Sequence, residues 1–94
     1  MSKIKAVFLD RDGVINIEKD YLYKREDFEF TEDLFQGLQS FQKNNFKLFV
    51  ITNQSGIGRG YYTEKDFLDL TDWMVKRLKE EDIEINGVNY CPHT

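Results

Sequence analysis

Lys5-Ala6-Val7-Phe8-Leu9-Asp10-Arg11-Asp12-Gly13 is the stretch on which the fold of this chain turns. Ala6, Val7, Phe8 and Leu9 form an unbroken apolar run, which predicts a strand buried on both faces of a parallel sheet. The run ends abruptly in two aspartates and a glycine. Alternate residues of extended backbone share a side, so Asp10 and Asp12 are expected to point the same way. Two close carboxylates repel unless a cation or a shared proton relieves them. Mg²⁺ suits such a pair, because it takes one or two carboxylates, several waters and a substrate phosphate. With phosphate in place, one carboxylate can attack phosphorus while the other protonates the leaving oxygen. Gly13 lets the backbone turn tightly beside a ligand. Alone, Asp-x-Asp-Gly also reads as a solvated turn; the strand before it and a second polar cluster downstream favour a site. An EF-hand loop is excluded, because its glycine stands five residues after the first aspartate and Gly13 does not.

The second cluster follows the second apolar run, Lys47-Leu48-Phe49-Val50-Ile51. Ligands of open parallel sheets bind outside the carboxyl ends of the strands, which is where both clusters fall. Thr52 brings a hydroxyl and Asn53 an amide, both donors to phosphate oxygens. Gly56, Gly58 and Gly60 do not make a dinucleotide loop, since Tyr61 occupies the place of the third glycine in G-x-G-x-x-G, and no lysine follows to make a P-loop. Arg59 reads equally well as a contact for an anionic substrate and as plain surface.

Between the clusters, residues 16–30 mix charges with Tyr21, Tyr23, Phe28 and Phe30 and predict an ordered loop with aromatic anchors. Thr31 is placed to cap a helix carrying Leu34, Phe35, Leu38 and Phe41, ending near Asn44-Asn45. Thr63 is placed to cap a longer one, with Phe67, Thr71, Met74 and Leu78 on one face. Asn86-Gly87 reads as a turn before a short third strand at Val88-Asn89-Tyr90. Strand, helix, strand, helix, strand predicts an α/β fold with a parallel sheet.

Composition narrows the functional classes. The 94 residues suit one small domain, with 40% hydrophobic and 32% charged residues of both signs. A net charge of -4 and a pI near 4.9 argue against nucleic acid and anionic membrane as partners. No apolar run approaches a membrane span, and Met1-Ser2-Lys3-Ile4-Lys5 leads into too short a stretch for a signal peptide. A cytoplasmic protein is expected. The one cysteine, Cys91, excludes an internal disulfide; with His93 it offers half of a tetrahedral zinc site, which needs four ligands.

Val7-Phe8-Leu9-Asp10-Arg11-Asp12-Gly13-Val14 resembles the first motif of the haloacid dehalogenase superfamily, and Val50-Ile51-Thr52-Asn53 resembles its second. The longer strings DRDGVIN (residues 10–16), ITNQSGIGRGYYT (51–63) and YCPH (90–93) look like phosphatases of that superfamily acting on small phosphorylated sugars. The likeness runs from about Lys5 to His93. Histidinol-phosphate phosphatases are similar at the first motif and at Cys-Pro-His, but lack the Ser-Gly-Ile-Gly-Arg-Gly loop.

The resemblance implies a Rossmann-like haloacid dehalogenase fold with a minimal cap, and residues 1–94 as the N-terminal part of a single domain. It implies Mg²⁺-dependent hydrolysis of a small phosphorylated sugar, a heptose bisphosphate foremost, through an aspartyl-phosphate. Histidinol phosphate or another small phosphomonoester is the near alternative. An inactive fragment is the distant one, and a receiver-type phospho-acceptor domain ranks below both. Asp10 is implied as nucleophile and Mg²⁺ ligand, Asp12 as general acid/base and Mg²⁺ ligand, and Thr52 as the stabiliser of the transferring phosphoryl group. Substrate is expected to meet Asp10, Arg11, Asp12, Glu18, Lys19, Asp20, Tyr21, Thr52, Asn53, Gln54 and Ser55. Cys91 and His93 would be two ligands of a structural Zn²⁺ in a loop closing over the site. The family pattern continues with two zinc cysteines, an Arg-Lys pair and an acidic metal motif, none of which is in the 94 residues, so the fold is expected to be incomplete on its C-terminal side. The first strand would then present an open apolar edge, and self-association through it is expected.

Overall fold

The computed structural model describes residues 4–93, so the leader reading at Met1-Ser2-Lys3 and the final Thr94 lie outside the described residues. Strands β1 (Lys5–Asp10), β2 (Phe46–Asn53) and β3 (Ile85–Cys91) form a parallel sheet in the order β1-β2-β3. Helix α1 (Leu34–Lys43) crosses from β1 to β2, and α2 (Ser55–Gly58) and α3 (Glu64–Lys79) lie between β2 and β3. The α/β class and the parallel sheet are as the sequence predicts.

Both long helices pack on one face of the sheet. Leu34 and Leu38 of α1, and Leu70, Met74 and Leu78 of α3, join Leu48 and Val50 of β2 in a single core, with Val7 and Leu9 packed against it. The opposite face carries Phe8, Phe49 and Ile51. Phe8 stacks on Phe49 at 5.4 Å yet is 60% exposed, and Ile51 is 39% exposed. The expectation that β1 is buried on both faces is therefore wrong. No helix among the described residues covers that second face, and β1 is one of the two edge strands of the sheet, β3 being the other.

Local chemistry explains the remaining departures. Thr31 does not cap α1: its hydroxyl donates to the Val14 carbonyl at 2.6 Å, and Asp33 stands at the N-cap in a left-handed conformation. Thr63 does cap α3, in a capping box with Asp66, a device worth about 1 kcal/mol. The buried residues of α3 are Phe67, Leu70, Met74 and Leu78; Thr71 lies beside them, half-buried with its hydroxyl oxygen out of water, and Leu70 joins the face the sequence predicts. Asn86-Gly87 is not a turn but part of β3. The Asn86 side chain accepts the Leu48 N–H at 2.9 Å where the register slips, and Gly87 lies under the Phe49 ring. Residues 16–30 do form an aromatic-anchored loop, with Phe28 edge-on to Phe30 and to Trp73. No helix among the described residues is long and apolar enough to cross a membrane.

Candidate active site

The site grows from the turn after β1. Arg11 N–H donates to the Ile51 carbonyl at 3.3 Å, tying the turn to β2. The Arg11 carbonyl then gathers three amides, from Val14, Ile15 and Asn16 at 2.8–3.3 Å, and Gly13 takes the φ of +91° that closes the turn. Here the carboxylate of Asp12 becomes a junction. Its Oδ1 accepts from Arg11 Nη2 at 2.8 Å and from Asn16 Nδ2 at 3.1 Å. Its Oδ2 accepts longer bonds from Gln54 Nε2 at 3.4 Å and Thr52 Oγ1 at 3.5 Å. One side chain thus joins both polar clusters. Asp10, by contrast, receives no hydrogen bond at its carboxylate among the described residues.

A cavity of about 420 Å³, within the usual size range for small-ligand sites, opens over these groups. Asp10, Arg11 and Asp12 line it from the first turn, residues 18–21 from the aromatic loop, and residues 52–55 from the end of β2. Each expected substrate-binding position therefore borders one cavity, although not every side chain faces it freely. The Arg11 side chain is buried, with the residue 2% exposed, lying 5.9 Å from the Phe28 ring and donating weakly to the Leu22 carbonyl at 3.4 Å. Its Nε and Nη1 have no hydrogen-bond partner among the described residues. The Lys19 ammonium is drawn away to the Asp27 carbonyl at 2.6 Å and towards Glu29 at 3.7 Å. Cys91 borders a separate shallow cleft that shares Asp10, Thr52 and Asn53, while His93 lines neither space.

Leu22, Ile51, Gly56 and Tyr62 also line the cavity and were not singled out from the sequence. Tyr62 is 6% exposed and donates its hydroxyl to Gln54 Oε1. Burial pushes that hydroxyl above its ordinary pKa of 10.0; Arg11 pulls it down, and Asp12 and Tyr21 push it up. Gly56 is demanded by contact: a Cβ there would stand 2.3 Å from Tyr62 Cε1 and 2.9 Å from Tyr21 Cδ1. The signal was present as a Tyr-Tyr pair after the glycine-rich loop.

No family model matches the chain. It is 55% identical over 91 residues to a D-glycero-alpha-D-manno-heptose-1,7-bisphosphate 7-phosphatase of Campylobacter jejuni, covering 97% of this chain and 53% of that one. It is 49% identical over 94 residues to the D-glycero-beta-D-manno-heptose-1,7-bisphosphate 7-phosphatase of Helicobacter pylori, covering 99% and 54%. Among solved structures, a D,D-heptose 1,7-bisphosphate phosphatase from B. bronchiseptica complexed with magnesium and phosphate superposes with a TM-score of 0.88 at 26% identity, covering 97% of this chain and 51% of that one. A HAD-like phosphatase from Mesorhizobium loti gives 0.89 at 30% identity, covering 97% and 44%. Over almost its whole length the chain is similar to these heptose-bisphosphate phosphatases, and it shares the fold of HAD-like phosphatases. It spans about half the length of the curated relatives it matches.

A haloacid dehalogenase-type site implies Mg²⁺. The donor chemistry fits: donors occupy both oxygens of Asp12 while Asp10 stays unengaged, leaving a hard oxygen ligand at the cavity. No group of three or more His, Cys, Asp or Glu converges among the described residues. Zinc does not fit from this chain alone. Cys91 and His93 are its single cysteine and single histidine, and a closed tetrahedral site takes four ligands.

Proposed function

We propose that residues 1–94 are the N-terminal part of a single phosphatase domain that removes the 7-phosphate of heptose 1,7-bisphosphate. One observation carries the reading: the strings resembling the family's two motifs border one cavity, with the Asp10 carboxylate unengaged and the Asp12 carboxylate held. The identity of 43–55% to relatives named as heptose-bisphosphate phosphatases supports the substrate.

In this reading an Asp10 oxygen attacks phosphorus, the bond from phosphorus to the sugar oxygen breaks, and that oxygen takes a proton from Asp12. Water then attacks the aspartyl-phosphate, gives its proton back to Asp12, and releases phosphate and free Asp10. Thr52 and Asn53 donate to phosphoryl oxygens as charge shifts. Asp10 and the Asp12 segment would hold Mg²⁺, which would supply neutralisation of the phosphate charge. Residues 18–21, carrying Glu18 and Asp20, meet the hydroxyl-bearing remainder of the substrate. The partner is accordingly a small phosphorylated sugar, and the reaction belongs in the cytoplasm. The chain also associates with a second copy of itself through the free edge of β1 and its exposed Phe8, since a two-fold axis offers each edge an identical one.

The test is phosphate release, with Mg²⁺, from heptose 1,7-bisphosphate and from histidinol phosphate, using protein of verified intact mass. Turnover of the heptose compound supports the proposal. Turnover of histidinol phosphate alone moves the substrate, and no turnover of either refutes activity in these 94 residues.

A further inference from the structure

The Gln54 side chain is 2% exposed and sits between the two clusters. Its Nε2 donates to Thr52 Oγ1 at 2.8 Å and, more weakly, to Asp12 Oδ2 at 3.4 Å. Its Oε1 accepts from the Tyr62 hydroxyl. An amide has a donor end and an acceptor end, and a flip would set its carbonyl against the carboxylate of Asp12. At 2% exposure, water is not at hand to replace a lost partner, and an orphaned amide oxygen carries its full desolvation cost.

The Tyr62 ring is itself seated. It stacks on Tyr23 with centroids 5.4 Å apart and planes 10° apart, and it occupies the space that a side chain at position 56 would need. The Gln54 backbone is fixed by its N–H to the Cys91 carbonyl at 2.8 Å. Both ends of the contact are therefore held independently of any ligand.

We propose that Tyr62 is a positioning residue whose hydroxyl sets the orientation of the Gln54 amide and, through it, the placement of Asp12 and the Thr52 hydroxyl. Because Thr52 Oγ1 accepts from Gln54, its own proton is left to be donated elsewhere, towards Asp12 or a ligand in the cavity. The catalytic consequence rests on the phosphatase reading; the amide orientation does not.

The experiment follows side-chain amide hydrogen exchange by NMR in the ¹⁵N-labelled chain, with exposed Gln36 as internal reference. Gln54 should exchange at least about tenfold more slowly than Gln36 in the unaltered protein. Tyr62→Phe, which keeps the ring and removes the hydroxyl, should accelerate Gln54 exchange about tenfold while backbone amides of α1 and α3 are unchanged. Gln54 exchanging as fast as Gln36 in the unaltered chain, or equally fast with and without the hydroxyl, overturns the proposal. The first of these comparisons needs no variant, so it holds even if Tyr62→Phe fails to fold. In protein that releases phosphate, Tyr62→Phe should lower kcat about tenfold with KM within about twofold, and Tyr62→Phe/Gln54→Ala should fall no further than Gln54→Ala alone. Additive losses overturn the coupling. Absence of turnover in the unaltered protein refutes activity in these 94 residues and leaves the exchange result to decide the positioning.

Discussion

Arg11 donates from Nη2 to Asp12 Oδ1 at 2.8 Å, an ion pair between sequence neighbours whose side chains are 3% and 25% exposed. In a straight strand the two would point to opposite faces; the turn closed by Gly13 brings them together. Breaking a fully buried pair costs several kcal/mol, and the water that reaches Asp12 reduces this. We expect Arg11→Ala to destabilise the chain by about 2 kcal/mol in urea unfolding. Arg11→Lys should recover little, because a lysine cannot reproduce the planar fork under Phe28. Unaltered stability in both variants would make the pair incidental.

Asp10→Asn removes the proposed nucleophile but few of the fold's contacts, since no donor among the described residues reaches the carboxylate. In protein with measurable phosphate release, turnover should drop by about three orders of magnitude or more while thermal unfolding is little changed. Retention of most activity would rule the assignment out.

At position 56 the prediction is steric. An alanine Cβ would fall 2.3 Å from the Tyr62 ring, so the ring or α2 must move. Overpacking of this kind costs about 1–3 kcal/mol, and the stacking of Tyr62 on Tyr23 should be lost. Near-ultraviolet circular dichroism beside a denaturant titration would detect both; a variant as stable as the parent argues that the loop is plastic.

Tyr62, Tyr90 and Asp66 bend the dependence of stability on pH at its two ends. The Tyr62 hydroxyl is pushed above 10.0 by burial, so the native state holds that proton more tightly than the unfolded chain. Its contribution is present below pH 10.0 and lost as pH climbs through the raised value. Tyr90 adds to the same limb, raised chiefly by its hydrogen bond to Glu64, so Tyr62→Phe should flatten the alkaline loss without abolishing it. On the acid side, Asp66 is held below 3.8 by the Thr63 N–H and hydroxyl. Its contribution is present above 3.8 and lost as pH falls further, a part of the acid loss that Asp66→Asn should remove. Stability against pH for both variants checks the two limbs, and curves parallel to the parent's would contradict them.

Phe8, at 60% exposure, is the most accessible aromatic on the uncovered sheet face. Sedimentation velocity should show mass rising with concentration, and Phe8→Lys should suppress the rise. A parent chain that stays monomeric at every concentration tested would refute self-association.

Much of this was legible from residue patterns. Periodicity placed both long helices, and Thr63 marked the start of α3 because a hydroxyl three residues before Asp66 has an obvious local partner. Thr31 misled because its hydroxyl finds a distant one, the Val14 carbonyl, and no local rule reveals that. Asn86-Gly87 misled for a similar reason: a turn dipeptide was absorbed into β3 once Asn86 could take the Leu48 amide. The cavity's residues were found where short strings resembled known motifs. Tyr62 escaped because its role depends on Gly56 and Gln54, which meet it only after folding. An apolar run such as Ala6 to Leu9 reports that a strand is greasy on both sides, but not whether this chain supplies the cover.

Asp10 lies on the same sheet face as Phe8, paired in register with Ile51. The uncovered side of the sheet is thus also the side from which the proposed nucleophile projects. Wetting of that face and reactivity of the carboxylate become one variable: whatever dries Phe8 lowers the local dielectric around Asp10 and strengthens every charge acting on it. In this protein, solubility and chemical competence pull on opposite ends of the same strand.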